Sequence, residues 1–300
     1  MMAPTILVTG GRGQLASALA RLRPGGVAVV GRPDFDFERP DSVAEAVAAA
    51  RPAVVINAAA WTAVDAAETA PDEADRANHT GPGLLAAACR EAGARLIHVS
   101  TDYVFDGLKG APYVETDRPC PTGVYGSTKL AGELAVLAAC PGAVILRTSW
   151  VYARTGKNFV LTMLNAAKWA PRLRVVADQI GCPTNADDLA AAVLAVADRL
   201  IAAPADENLG GIYHASGQGE TSWHGFAVAI FQEAARHGWP SPLIDAISTS
   251  DWPTPAKRPP DSRLDCGKLA EQFGLRLPHW RPSLDRAVGA ICQAALAASD

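Results

Sequence analysis

The chain has 300 residues, 49% hydrophobic and 19% charged, so it can bury a large core as one big domain or two smaller ones. A net charge of −4 without any basic run argues against nucleic acid or an anionic membrane as partner. No apolar run approaches the roughly 18 residues of a membrane span and no basic leader precedes the first strand, so a cytoplasmic protein is expected. Six scattered cysteines, without a C-x-x-C pair in a chain this large, read as reduced thiols; Cys182 lies in a loop of interest.

Thr5-Ile6-Leu7-Val8 is a β-rich apolar run, followed by Thr9-Gly10-Gly11-Arg12-Gly13-Gln14-Leu15-Ala16 and a helix to about Arg23. Strand, glycine turn and helix stand in the order a dinucleotide site requires. Gly10 permits the tight turn, Gly13 lets the backbone approach a pyrophosphate, and Ala16 lets helix and strand pack closely. The phosphates are expected on the helix N-terminus, where unbonded N–H groups and the dipole favour anions.

A second strand, Val27 to Val30, ends at Gly31-Arg32. NAD-preferring sites carry an acidic residue near this strand end, whereas an arginine suits the 2′-phosphate of NADP, so Arg32 favours NADPH. Asp36-Phe37 follows in a position to lie beside the adenine. After a helix from Val43 to Arg51, a buried strand from Ala53 to Asn57 leads into Ala58-Ala59-Ala60-Trp61-Thr62, whose small residues let a cofactor lie against the backbone. A helix is expected over about 72–93, and the strand from Arg95 to Val99 delivers Ser100-Thr101-Asp102 to the carboxyl edge of the sheet. The loop from Tyr103 to Gly123 can form a substrate rim, and its Glu115 and Asp117 read as solvated.

Tyr125 and Lys129, at i and i+4, share one face of the next helix. An ammonium near a phenol favours the phenolate, so the tyrosine can exchange a proton near neutral pH, as carbonyl reduction requires. Alternating strands and helices up to the strand Ala143 to Arg147 predict a doubly wound, Rossmann-type parallel sheet in an α/β fold. The second half is less regular. It reads as a helix over about 158–169, a strand at Leu173 to Val176, the loop Asp178 to Thr184, a helix over 186–203, a strand at Gly211 to His214, a helix at Trp223 to His237, an irregular Pro-rich stretch over 249–263 and two closing helices. A cofactor domain over 1–150, together with about 178–215, and a mainly substrate-binding domain over 151–300 are expected to interleave.

The opening glycine run, Thr101-Asp102-Tyr103-Val104-Phe105 and Tyr125-x-x-x-Lys129 together resemble the extended short-chain dehydrogenase/reductase family. Tyr125-Gly126-Ser127-Thr128-Lys129-Leu130-Ala131-Gly132-Glu133, Arg147-Thr148-Ser149-Trp150-Val151-Tyr152, Asp178-Gln179-Ile180-Gly181-Cys182-Pro183-Thr184, Pro255-Ala256-Lys257-Arg258-Pro259 and Ser262-Arg263-Leu264 narrow the resemblance to the dTDP-4-dehydrorhamnose reductase family, over nearly the whole chain. The resemblance implies NAD(P)H-dependent reduction of a C4 keto group on a dTDP-sugar. It puts catalysis on Thr101, Tyr125 and Lys129. Cofactor contacts fall on Gly10, Gly11, Arg12, Gly13, Gln14, Leu15, Gly31, Arg32, Asp36, Phe37, Ala58, Ala59, Ala60, Trp61, Thr62 and Ser100 with Tyr125 and Lys129. Substrate contacts fall on Thr101, Asp102, Tyr125, Trp150 and Arg258.

Two departures bear on this. The family's acidic residue at the second strand end is Gly31 here, so NADPH is the expected cofactor with NADH as the alternative. Some members are dimers bridged by magnesium through a carboxylate of the first helix. That helix has no Asp or Glu here, so neither a bridging metal nor a metal requirement is expected, and the chain is a monomer or homodimer. Trp150 can read as a core aromatic, and Arg258 and Arg263 as solvated. Competing functions are an epimerase or dehydratase of the same superfamily and a non-catalytic NADP-binding regulatory subunit.

Overall fold

The computed structural model describes residues 6–203 and 207–297; the lead-in over 1–5, with the Thr5 start of the first strand, lies outside them. The first half alternates β1 (Ile6–Thr9), α1 (Gln14–Leu22), β2 (Val27–Val30), α2 (Pro40–Ala50), β3 (Val54–Asn57), the short α3 (Val64–Ala67) and α4 (Pro71–Asp75), a π turn (Arg76–Thr80), α5 (Gly81–Glu91), β4 (Arg95–Thr101), α6 (Val124–Ala139) and β5 (Val144–Thr148). The second half holds β6 (Val151–Tyr152), α7 (Phe159–Ala166), β7 (Arg172–Val176), β8 (Ile180–Gly181), β9 (Thr184–Asn185), α8 (Ala186–Ala202), β10 (Gly211–His214), β11 (Thr221–Ser222), α9 (Trp223–Arg236), β12 (Leu243–Ile247), α10 (Gly267–Phe273) and α11 (Trp280–Ala297).

Six strands pair in parallel in the order β10-β5-β4-β3-β1-β2. Their uninterrupted apolar runs follow from burial on both faces. Within β1, Ile6 and Val8 meet Leu15 and Leu19 of α1 and Leu189 and Val193 of α8, while Leu7 faces the other way, towards Val43, Val47 and Leu85 of α2 and α5. Each such side chain contributes about 1.5–3 kcal/mol by leaving water. The connection from β1 runs to one side and that into β3 to the other, so the carboxyl ends of β1 and β3 flank a switch point, where open α/β sheets bind ligands.

A second core gathers α7, α9 and α11 around Val160, Leu164, Phe226, Ile230, Leu284 and Val288. It includes a two-stranded parallel sheet of β7 with β12, and sequence reading missed β12. The helix expected over 72–93 is interrupted by the π turn. Its bulge brings the backbone of Asn78 against α6, where a Cβ on Gly132 would lie 1.9 Å from Asn78 O. Among the described residues no helix is long and apolar enough to cross a membrane.

Candidate active site

The glycine run folds as a cradle at the switch point. Gly10 has φ +103°, and a Cβ there would come within 2.8 Å of Ala58 O. Gly31 is pressed against the same turn: its Cβ would meet Gly11 Cα at 2.7 Å. Gly13 is the N-cap of α1, no side chain caps that helix, and its first turn has no acidic residue. Its orphan N–H groups are thus left for an anion. Glycine in place of a side chain at two strand ends, over an uncapped helix, fits a dinucleotide pyrophosphate.

Around the cradle the predicted residues separate. Leu15 is buried in the core and can offer only its backbone, and Gln14 Oε1 accepts a bond from Asn158 Nδ2 at 3.0 Å. Arg32 is exposed and pairs with Asp36 and Glu38, each at 3.2 Å. The Phe37 ring packs where a Cβ on Gly81 would stand. Ala58, Ala59, Ala60 and Trp61 are half-buried and Thr62 is exposed. Asn78 fixes this stretch by accepting from Trp61 N at 2.9 Å and donating to Trp61 O at 3.1 Å and Thr128 Oγ1 at 3.2 Å. Asn78 carried no functional signal in the sequence; the π turn, a feature frequent at functional sites, is what exposes it.

Below the cradle, a buried polar string crosses the strand ends. Thr9 Oγ1 donates to Asn57 Oδ1 at 2.7 Å, and Asn57 Nδ2 meets His98 Nδ1 at 2.9 Å. Burial, and secondarily the charge of Lys129, hold His98 well below the usual imidazole range.

Helix α6 carries Tyr125 and Lys129 inward. It starts at a foreign cap, the carboxylate of Glu68 accepting Val124 N at 2.8 Å. Gly126 and Gly132 let it press against Tyr103 O and Asn78 O, which a Cβ would reach at 2.2 and 1.9 Å. Lys129 is buried and donates to Val99 O at 2.7 Å. Burial lowers its pKa to about 8, with Glu133 acting the other way. The Tyr125 ring meets Tyr103 edge-on at 5.4 Å, and burial pushes its phenol up to about 12, with Thr101 pulling it down and Asp102 raising it. This corrects the sequence reading. One N–H of the ammonium goes to a backbone carbonyl, and desolvation keeps Tyr125 a protonated phenol.

At the end of β4, Thr101 Oγ1 lies 3.0 Å from Asp102 Oδ1 and accepts from Tyr103 N at 3.2 Å. The Ser100 hydroxyl is committed to Glu133 Oε1 at 2.5 Å, so its side chain is not free for a cofactor. Glu133 also holds buried Arg147 through two bonds of 2.9 and 2.6 Å.

On the substrate side, Trp150 has φ +47°, a region that bulky residues avoid and that recurs at functional sites. Its indole stacks on Trp223 at 3.5 Å with 5° between planes, and a Cβ on Gly181 would stand 2.4–2.7 Å from three of its ring atoms. Trp223 is half-buried, packs against the second core and forms the other half of this stack. Arg263 is engaged by Asp261 at 2.7 Å and Glu220 at 2.8 Å. Arg258 pairs with Asp65 at 2.8 Å, and its buried Nη1 has no partner. Glu115 is not solvated: it accepts His214 N at 2.8 Å. Asp117 is likewise engaged, by Lys109 at 2.5 Å and Val114 N at 2.7 Å. Among the described residues no group of three or more His, Cys, Asp or Glu side chains is placed to hold a metal.

A doubly wound parallel sheet, a glycine cradle at its switch point and an inward Tyr-x-x-x-Lys helix define a Rossmann-fold protein of the short-chain dehydrogenase/reductase type. Residues 4–292 match the family described as the RmlD substrate binding domain, and the chain belongs to that family. It is 47% identical over 288 residues to a dTDP-4-dehydrorhamnose reductase of Sinorhizobium fredii, covering 95% of this chain and 97% of that one. It is 46% identical over 285 residues to the Burkholderia thailandensis enzyme of that name, covering 92% and 95%. The solved dTDP-4-dehydrorhamnose reductase of Bacillus anthracis, in complex with NADP, superposes with a TM-score of 0.86 at 35% identity, covering 95% of this chain and 98% of that one.

Proposed function

We propose that the chain reduces the C4 keto group of dTDP-4-dehydrorhamnose to give dTDP-L-rhamnose, the last step of dTDP-L-rhamnose synthesis, with a reduced nicotinamide cofactor. The observation that carries it is the placement of Thr101, Tyr125 and Lys129 at one sheet edge, in a chain 47% identical to a reductase of that name over 95% of its length. A bound nicotinamide supplies hydride to C4. Tyr125, a neutral phenol because burial raises its pKa to about 12, gives its proton to the C4 oxygen. Such proton donation is worth about 10²–10⁴ in rate. Lys129 has two N–H groups beyond its bond to Val99 O, for the nicotinamide ribose and the phenolate left on Tyr125. Thr101 donates to the C4 oxygen, and the unpartnered Nη1 of Arg258 suits the substrate diphosphate, so that Arg258 rather than Arg263 takes that role.

The cradle residues Gly10 to Gly13 hold the pyrophosphate, with Gly31, Asp36, Phe37 and Ala58 to Thr62 around the adenosine half, and Arg32 favours NADPH through the 2′-phosphate. The division of labour follows the sheet, residues 1–150 and about 178–215 serving the cofactor and the remainder the sugar nucleotide. The test is incubation of the purified protein with dTDP-4-dehydro-L-rhamnose and NADPH. Loss of reduced-nicotinamide absorbance equal to the sugar reduced is the expected result. A new sugar without net oxidation of NADPH means an epimerase instead.

A further inference from the structure

Thr101 has one hydrogen to give, and the structure offers it a competing acceptor. Its oxygen already accepts Tyr103 N–H, and its hydroxyl lies 3.0 Å from Asp102 Oδ1. Asp102 is 2% exposed, and its second oxygen has no partner. The buried hydroxyl of Ser262 is also unpartnered and is close enough to act on the Asp102 carboxyl. A carboxylate only accepts, whereas a carboxylic acid carries one O–H to donate. Facing a carboxylate, the Thr101 hydrogen goes to Oδ1, because a charge-assisted bond is roughly twice as strong as a neutral one. An incoming ketone oxygen then meets a threonine lone pair. Facing the acid, Thr101 Oγ1 accepts from Asp102 and from Tyr103 N, both its lone pairs are filled, and its hydrogen turns towards the site.

We infer that Asp102 is a positioning residue that sets the direction of the Thr101 hydroxyl: as the acid it donates to Thr101 Oγ1 and releases the threonine hydrogen to the C4 oxygen, and as the carboxylate it holds that hydrogen back. The inference rests on the reading of Thr101 as the group that binds the C4 oxygen. The surroundings shift the balance towards the acid. Burial lifts the Asp102 carboxyl to about 6, with the nearby Ser262 hydroxyl, the Thr101 bond and the local backbone pulling the other way. A sugar closing over the site removes further water and lifts it more. The titratable groups facing Asp102 are Tyr103 beside it, Tyr125 on α6 and Cys182 in the loop between β8 and β9. Burial raises all three, so they remain protonated through neutral pH. Lys129, at about 8, is the other group of the site that titrates nearby.

The test is turnover at saturating dTDP-4-dehydro-L-rhamnose and NADPH from about pH 5 to about pH 9, bracketing Asp102 and Lys129, for the wild type, Asp102→Asn and Ser262→Ala. Wild-type turnover falls about tenfold per pH unit above the Asp102 ionisation. In Asp102→Asn the amide donates to Thr101 at every pH while its oxygen faces Ser262. Its plateau turnover is lower than wild type, but the Asp102 limb is gone and only the loss belonging to Lys129 remains. Ser262→Ala removes a donor that favours the carboxylate, so the limb moves to higher pH. A limb unchanged in both variants, or a wild-type profile flat across this range, overturns the inference. If Asp102→Asn does not fold, the position of the limb in Ser262→Ala decides alone. A wild type that does not oxidise NADPH with this sugar defeats the functional reading instead, before Asp102 is reached.

Discussion

Lys129 and Glu133 lie one turn apart on α6, both buried, and their charges are met in opposite ways. Glu133 is saturated: two bonds to Arg147 and one from Ser100 tie α6 to the strand ends of β4 and β5. Lys129 has one bond, to a neutral carbonyl, and its ammonium is destabilised by burial. The Glu133–Arg147 pair holds the helix in place and leaves Glu133 fully engaged, with only the buried Nη1 of Arg147, whose guanidinium lies over the Phe105 ring, lacking a hydrogen-bond partner. A half-satisfied cation at the same depth is strained alone and is relieved by a ligand that accepts its remaining hydrogens. Along one helix face, the first serves structure and the second serves chemistry.

Breaking the closed pair has the largest expected effect. Arg147→Met leaves the Glu133 charge buried with Ser100 as its one hydrogen-bond partner, and should cost about 3–5 kcal/mol in urea unfolding. Adding Glu133→Leu should recover most of that, since an apolar replacement of a whole buried pair is often neutral. A single-mutant cost under about 1 kcal/mol would remove the clamp from the comparison.

Lys129→Met should act in the reverse sense. The native pKa of about 8 lies below the ordinary 10.5, so between those values the unfolded chain binds more protons than the native one. Native stability therefore rises with pH across that window, and at pH 7 the buried ammonium costs up to about 3 kcal/mol. The methionine variant should be more stable at pH 7, lose that rise in a pH series of unfolding curves, and lose turnover. A variant no more stable than wild type would mean that Lys129 is not strained. Next, Tyr125→Phe should lower turnover by at least about 10², about 2.7 kcal/mol, with cofactor binding and unfolding midpoint near wild type. Near-normal turnover removes Tyr125 from proton donation.

Much of this was legible in the sequence because it is local. The apolar runs of β1, β3 and β5, the glycine turn and the i, i+4 spacing of Tyr125 and Lys129 need only neighbours in the chain. What was illegible depends on partners far away. Glu133 and Arg147 are each ordinary until the fold buries them together. The protonation of Tyr125 was misjudged because spacing reveals the nearby lysine but not the desolvation that outweighs it. The π turn at Asn78 has no residue signature, and β12 has no fully buried residue, carries Asp245 at its centre and lies between prolines and serines that read as loop. The surroundings of Trp150, its stack on Trp223 and its close approach to Gly181, join residues remote in sequence.

The smallest expected effect extends the comparison to the surface. Arg32 is 69% exposed, and its pairs with Asp36 and Glu38 are of the kind worth about 0–1 kcal/mol each. Like Lys129, it is a cation whose present partners do not satisfy it fully. A 2′-phosphate offers a stronger, forked acceptor. Arg32→Ala should therefore weaken NADPH binding about tenfold, roughly 1.4 kcal/mol, and leave NADH within about twofold, as read by fluorescence titration of each cofactor. Glu38→Gln, which removes a competitor of the phosphate, should shift NADPH affinity slightly the other way. Equal weakening of both cofactors by Arg32→Ala would mean that the arginine only shapes the turn between Gly31 and Asp36, and that the choice between cofactors is made by other residues of the cradle.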